Sequence, residues 1–376
     1  MKNEIAQAFL FSVMQNSTVE VVDDSRKYFQ TMAKFKYDDY QQYSPGMRFI
    51  ERLALWLNQF DDPDKPAALK FIREKLVFIS QAEMNLLISS VFPDVLKDIL
   101  IQDISKVLNK PAYAVTAITN SVAYRKLVRQ SLFCGMSDGA KMEIFRRANT
   151  GVITHEQIYQ TYELSNARAE KMQEELIKDL TKITEEGKVD DNDKKFKRLF
   201  LLDDFSASGT SYLKYNDEEK VLKGKIAALY KSIFKSENFE NVFDIVNLKV
   251  YVVIYLCTEQ AKNQIESNFN ELQKEYGNKP ELICMHVIPN VDKLNEINDS
   301  EILELCKRDN YYDATEIEDE HIRKGGKNVK LGFGQCALPL VLAHNTPNNS
   351  VPLLWSYDTS KKFKGLFPRI PRHKEI

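Results

Sequence analysis

The residues best suited to chemistry stand together at 199–211. Four apolar residues, Leu199, Phe200, Leu201 and Leu202, precede the acids Asp203 and Asp204. Phe205 then leads into a hydroxyl-rich turn of Ser206, Ala207, Ser208, Gly209, Thr210 and Ser211. This is the order of a strand, an acid pair and a loop able to start a helix. At the C-terminal end of a parallel strand, such a loop turns backbone N–H groups and hydroxyls toward the crevice where open α/β sheets bind ligands. Phosphate suits it: Gly209 would let the backbone approach, and Ser208, Thr210 and Ser211 carry donors for phosphate oxygens. Asp203 and Asp204 hold acceptors for two adjacent ribose hydroxyls. The alternative is an ordinary turn, since Asp, Ser and Gly are common turn residues.

The segment resembles the signature of type I phosphoribosyltransferases, in which a strand and two acids precede a Thr/Ser-Gly-x-Thr/Ser phosphate loop. The resemblance implies that Asp203 and Asp204 hold the ribose hydroxyls of phosphoribosyl pyrophosphate, and that Ser206, Ala207, Ser208, Gly209, Thr210 and Ser211 grip its 5-phosphate. It also implies Mg2+, met by Asp203 and Asp204 through water or through the ligand. A pyrophosphate loop is expected after an earlier strand, and Gly135, Met136, Ser137, Asp138, Gly139, Ala140 and Lys141 have that layout, with a helix following to Ala148. Lys141 adds charge against pyrophosphate or is a solvated residue at a helix start. Two positions depart from the pattern. Phe205 and Ser206 stand where aliphatic residues are usual, and Ala207 stands where purine salvage members carry a proton-accepting aspartate, which argues against 6-oxopurine salvage.

Toward the C-terminus, the stretch 332–355, with His344, Asn345, Thr346, Pro347, Asn348, Asn349 and Trp355, looks like the closing segment of a bacterial phosphoribosyltransferase-like family of conflict and phage-defence loci, including some retron systems. The likeness runs from about Arg48 to Pro368. It implies transfer or cleavage at ribose C1, with a defence-effector role; a non-catalytic nucleotide sensor and a scaffold that docks a partner are the alternatives. Residues 345–349 form either a hood over a base or a tight loop, and His344 reads as a structural histidine.

The elements that must position these residues fall into two styles. From Arg48 to Asp98 apolar residues recur at helical spacing, as in Ile50, Leu53, Trp56 and Leu57, then Leu69, Ile72, Leu76 and Val77. Asp61, Asp62, Pro63 and Asp64 mark a turn, and Ser80 with Glu83 forms a capping box. Residues 67–92 resemble a helix-turn-helix, but the second helix, 82–92, holds Glu83 and no Lys or Arg, so packing or a protein partner suits it better than DNA. Beyond Pro111, short apolar runs at 132–134, 199–202, 248–257 and 282–288 alternate with amphipathic helices at 166–184, 223–235 and 260–276. That alternation predicts an α/β, Rossmann-like phosphoribosyltransferase fold with a mainly parallel sheet, preceded by an all-helical domain. A charged surface segment at 185–195 interrupts it, and Leu338 to Ala343 reads as a buried strand. The expected domains are 1–115 (helical), 116–360 (α/β) and 361–376 (basic tail). In that tail Lys361, Lys362, Lys364, Arg369, Arg372 and Lys374 interleave with Phe363 and Phe367, a pattern that can touch phosphates and stack on bases, or simply be solvated.

Composition bounds the rest. With 376 residues and 43% hydrophobic content the chain can bury large cores, and 52 basic against 54 acidic residues exclude a global cationic field for nucleic acid. The five cysteines are odd in number and lack a CxxC pair, which suits reduced thiols better than a disulfide framework or zinc. No run approaches the ~18 consecutive apolar residues of a membrane span, and no signal-peptide pattern opens the chain, so a cytoplasmic location is expected.

Overall fold

The structure, a computed structural model, describes residues 3–14, 18–159, 166–184, 188–216, 218–235, 239–318, 323, 326 and 328–370. Its strands in chain order are β1 (Val77–Ile79), β2 (Ser131–Gly135), β3 (Ile158–Tyr159), β4 (Arg198–Ser206), β5 (Lys214–Asn216), β6 (Val221–Lys223), β7 (Lys249–Thr258), β8 (Glu281–Ile288) and β9 (Leu340–Leu342). The chain forms two compact units, one of Met1–Met84 with Pro289–Ile376, the other Asn85–Ile288.

The second unit is the α/β body. Its sheet runs β3-β2-β4-β7-β8, every pair parallel. Strands buried on both faces read as nearly continuous apolar runs, and β4 and β7 do. One face of the sheet packs Leu199, Leu201, Val250, Val252 and Ile254 against Met172, Leu176, Ile226, Tyr230, Ile265 and Phe269 of the crossover helices. On the other, Phe133, Phe200 and Tyr251 stack across three strands at 5.2 and 4.9 Å between ring centroids, and Phe145 covers Phe133 at 5.3 Å. The helices Asn166–Ile183, Lys225–Lys235 and Glu259–Tyr276 match the expected crossovers within two residues. Residues 185–187 lie outside the described residues, but the rest of the charged segment is tied down, with Asp193 pairing Lys126 and Lys197 at 2.6 Å each.

The first unit gathers both ends of the chain, which differs from the expected division at 115 and 360. Apolar side chains from the helices Val19–Phe35, Phe49–Leu57 and Lys65–Glu74 share one core with Leu353, Leu354, Phe363, Leu366 and Phe367. It is not all helical. Val77 and its neighbours, expected to continue a helix, form β1 and pair in parallel with β9, Val77 opposite Leu340. That strand interrupts the supposed helix-turn-helix, although the capping box at Ser80 is present: the Ser80 N–H donates to Glu83 at 2.8 Å and the Glu83 N–H to Ser80 at 3.2 Å. The expected second helix ends at Ser90 and passes into a π-helix, Val91–Leu96. The basic tail is also corrected. Phe363 and Phe367 are buried, and Arg369 donates to the Thr346 carbonyl at 2.5 Å, so these aromatics cannot stack on bases; Arg372 and Lys374 lie outside the described residues.

The stretch 332–355 belongs to this first unit and holds β9 and the helix Pro352–Trp355, with a tight loop at 345–349 between them. Asn349 donates to the Phe333 carbonyl at 2.9 Å and the Trp355 indole to the Ser350 carbonyl at 2.6 Å. A Cβ on Gly332 would lie 2.1 Å from the Asn349 carbonyl oxygen.

Candidate functional site

Strands β2 and β4 are neighbours in register, with Gly135 opposite Leu202. Whatever follows them therefore emerges on one edge of the sheet, and the two loops singled out in the sequence meet there. The Ser137 hydroxyl donates to the Asp203 carboxylate across 66 positions of sequence. The strand does not stop at Leu202 as expected. It continues to Ser206, with Asp203 opposite Ile254 and Phe205 opposite Leu256.

That extension matters because successive side chains of a strand face opposite sides of the sheet. Asp203 shares the face of Leu199 and Leu201, where the next elements enclose it; it is 1% exposed. One of its carboxylate oxygens accepts from Ser137 and from the Asp204 N–H at 3.1 Å. The other accepts from the Tyr212 hydroxyl at 2.7 Å and the Lys225 ammonium at 3.0 Å. Four donors fill the roughly four acceptor positions of a carboxylate. Burial, and then the neighbouring Asp204 charge, push the Asp203 pKa up, against the pull of Lys225, Ser137 and Tyr212. Burial, with the Asp203 and Asp204 charges, also drives the Tyr212 phenol well above its usual value, which keeps it a donor.

Asp204 turns the other way, is half-buried, and lies against the upstream loop. A Cβ on Gly139 would fall 2.3 Å from one of its carboxylate oxygens and 2.7 Å from the other, so a side chain there would displace the Asp204 carboxylate. That loop is held by the Tyr255 hydroxyl on the Ala140 carbonyl at 2.8 Å, and it turns into the helix Met142–Ala148 through Lys141 at φ +47°. A left-handed non-glycine residue costs about 1 kcal/mol, a strain met most often at functional sites.

In the loop after β4, Ser206, Ala207, Ser208 and Gly209 are buried, Thr210 is half-buried and Ser211 exposed. Ser208 and Thr210 share a hydrogen bond at 3.0 Å, while the Ser206 hydroxyl is buried with no partner among the described residues. Thr258, at the end of β7, donates to the Ala207 carbonyl at 2.6 Å and fixes the loop from below. Gly209 has a packing role as well: at φ +75°, a Cβ there would lie 2.9 Å from the Ala261 carbonyl oxygen, so the missing side chain admits the helix Glu259–Tyr276.

The arrangement is a carboxylate pair flanked by two loops at the C-terminal edge of a parallel sheet, where open α/β sheets bind ligands. A family model described as PRTase-CE matches residues 53–369. The chain belongs to the PRTase-CE family. No curated protein and no solved structure matches it. The family is phosphoribosyltransferase-like, in agreement with the fold and with the resemblance read from Asp203 to Ser211. In this PRTase-CE chain the match runs through both compact units from Leu53 onward and leaves out the helices Asn3–Val13 and Val19–Phe35.

Two members of the site, Tyr212 and Lys225, escaped the sequence. They stand nine and 22 positions after Asp203, beyond the signature, and the hairpin β5–β6 separates them. The residues do not fit an Mg2+ held directly by both acids, because every acceptor position of Asp203 is taken from within the chain. Among the described residues no group of three or more His, Cys, Asp or Glu is gathered that could hold a metal. No helix among them is long and apolar enough to cross a membrane.

Proposed function

We propose that this chain binds a ribose phosphate, either phosphoribosyl pyrophosphate or a nucleotide, at the C-terminal edge of its five-stranded sheet, and transfers or cleaves at ribose C1. The contact between Ser137 and Asp203 carries the reading, since it joins the pyrophosphate-type loop to the acid pair in one site. Asp204 accepts hydrogen bonds from the ribose hydroxyls, and Asp203 acts behind it as a positioning residue. Ser208, Thr210 and Ser211 take the 5-phosphate, for which the loop must shift, because Ser208 is 8% exposed. Residues 137–141 orient the leaving group, and Lys141 supplies charge as oxocarbenium character develops on the ribose. Mg2+ is assigned to the ligand's own pyrophosphate, where it would neutralise charge, and not to Asp203.

A specific observation favours a second reading, a sensor that binds without turnover. Ala207, at the position of the purine salvage base, is 3% exposed and supplies no proton acceptor. A defence-effector role is proposed on the family resemblance alone.

The test is a thermal shift with phosphoribosyl pyrophosphate and with nucleoside monophosphates. Wild type should be stabilised, whereas Asp204→Asn and Gly139→Ala should lose the response while unfolding near the wild-type temperature. A wild type indifferent to every ligand sinks the proposal. Mass spectrometry of the same incubations separates the two readings: pyrophosphate, free base or ribose phosphate released over time marks an enzyme, and unchanged ligand a sensor.

A further inference from the structure

The structure assigns to Lys225 the part of a resident cation: its ammonium holds Asp203 where a divalent ion would have to bind, so the ribose phosphate end of the ligand is taken up without divalent metal. The inference rests on the ribose phosphate reading above and deepens it.

Lys225 is fixed at both ends. Its backbone N–H donates to the Ser211 carbonyl at 3.1 Å, and the next N–H, of Ile226, to the Tyr212 carbonyl at 3.0 Å. Gly224 makes that approach possible. It sits at φ +111°, and a Cβ there would lie 2.5 Å from the Tyr212 carbonyl oxygen. The hairpin β5–β6 thus leaves the phosphate loop and returns the chain to the same spot, delivering Lys225 to the acid pair. At the far end the ammonium lies 3.0 Å from Asp203 and 5.2 Å from the centre of the Tyr212 ring, a cation–π distance.

Lys225 places one ammonium on the buried Asp203 carboxylate. Mg2+ needs near-octahedral oxygen ligands and is usually bound through one or two carboxylates with retained waters. Asp203 offers no open position for it. Evicting Lys225 would break an ion pair whose carboxylate is buried, a costly step.

Ribose 5-phosphate is the probe, because it lacks the pyrophosphate that would bring Mg2+ with it. Calorimetric titration of wild type in EDTA and in Mg2+ should give the same affinity. Lys225→Met should weaken binding in EDTA on the order of thirtyfold, with partial recovery in Mg2+ as the ion takes the vacated place. Lys225→Met leaves the buried Asp203 without its cation and is prone to misfold, so the decisive variant is Lys225→Arg, which keeps a cation on Asp203. It should bind in EDTA more tightly than Lys225→Met, with no gain from Mg2+. Binding by wild type only in Mg2+ overturns the inference and leaves the ribose phosphate reading standing. A folded Lys225→Arg variant that binds only when Mg2+ is added overturns it too, since a cation on Asp203 would then not stand in for the ion. No heat in either buffer removes the reading and the inference together.

Discussion

At the N-terminal edge of the five-stranded sheet, Asp103 receives Arg198 and Lys249 at 2.6 Å each, Asp193 receives Lys126 and Lys197, and Asp179 receives Arg129 at 2.8 Å and Lys182 at 3.1 Å. At the C-terminal edge, Asp203 and Asp204 crowd together with Lys225 as the paired cation. Burial opposes ionisation at both ends. At Asp103, Asp179 and Asp193 it is outweighed by hydrogen bonds from the paired cations, and their pKa values fall. At Asp203 burial and the Asp204 charge prevail, and its pKa rises. The C-terminal edge also holds Lys141 in the left-handed region and a buried Ser206 hydroxyl with no partner among the described residues. One edge joins strand starts to helices with compensated charge. The other keeps charge and strain in place, which a folded chain tolerates where a ligand supplies the missing partners.

The largest break in this comparison should come from Asp103→Ala. It removes the shared acceptor of Arg198 and Lys249 and should cost about 3 kcal/mol in denaturant unfolding, with the ligand response of the remaining folded protein intact. Loss of ligand binding under folding conditions would end the division of labour between the two edges.

Next in size is the response to acid. Lowered pKa values at Asp103, Asp179 and Asp193 mean stability fully present above the unfolded carboxylate value of about 3.9 and lost as pH falls through the folded values. The raised Asp203 acts in the opposite sense: its contribution is present below that unfolded value and fades as pH rises through its folded one. Asp203→Asn should therefore keep the steep loss below pH ~4 and flatten the stability profile just above it. A variant profile that parallels wild type throughout would show that Asp203 is not shifted.

The smallest expected effect is at Lys141. Lys141→Gly should relieve the left-handed backbone and leave stability unchanged or raised by up to about 1 kcal/mol, with weaker binding of pyrophosphate-bearing ligands. Destabilisation by that glycine would show that the Lys141 side chain, and not the strain, dominates there.

Four of the five sheet strands were legible because each carries at least three apolar residues in a row. Strand β3 has two residues, Ile158 and Tyr159, too few for any period to show. Leu76 and Val77 satisfy helical spacing from Ile72, and only the pairing with Leu340, far along the chain, makes Val77 part of a strand. The same distance hid the place of β9, which reads correctly as buried but belongs to a different sheet from β2 and β4. At the site, the acid pair and both loops were visible as short local patterns. Phe363 and Phe367 read as exposed stacking residues because basic neighbours surround them, and the sequence does not display the core that buries them.

The first unit is built from both ends of the chain, with residues 85–288 between them, and its strand pair joins Val77 to Leu340. During synthesis, domains fold as units with N-terminal ones first. Here the α/β unit, with every residue of the candidate site, is translated by residue 288, while the other unit still lacks β9 and Tyr311, Phe363 and Phe367 of its core. Its early segments must wait, with their apolar faces uncovered, for the residues beyond 288. The vulnerable interval in the life of this protein is thus the translation of those residues, when the candidate site can already be shaped and the other unit is still half made.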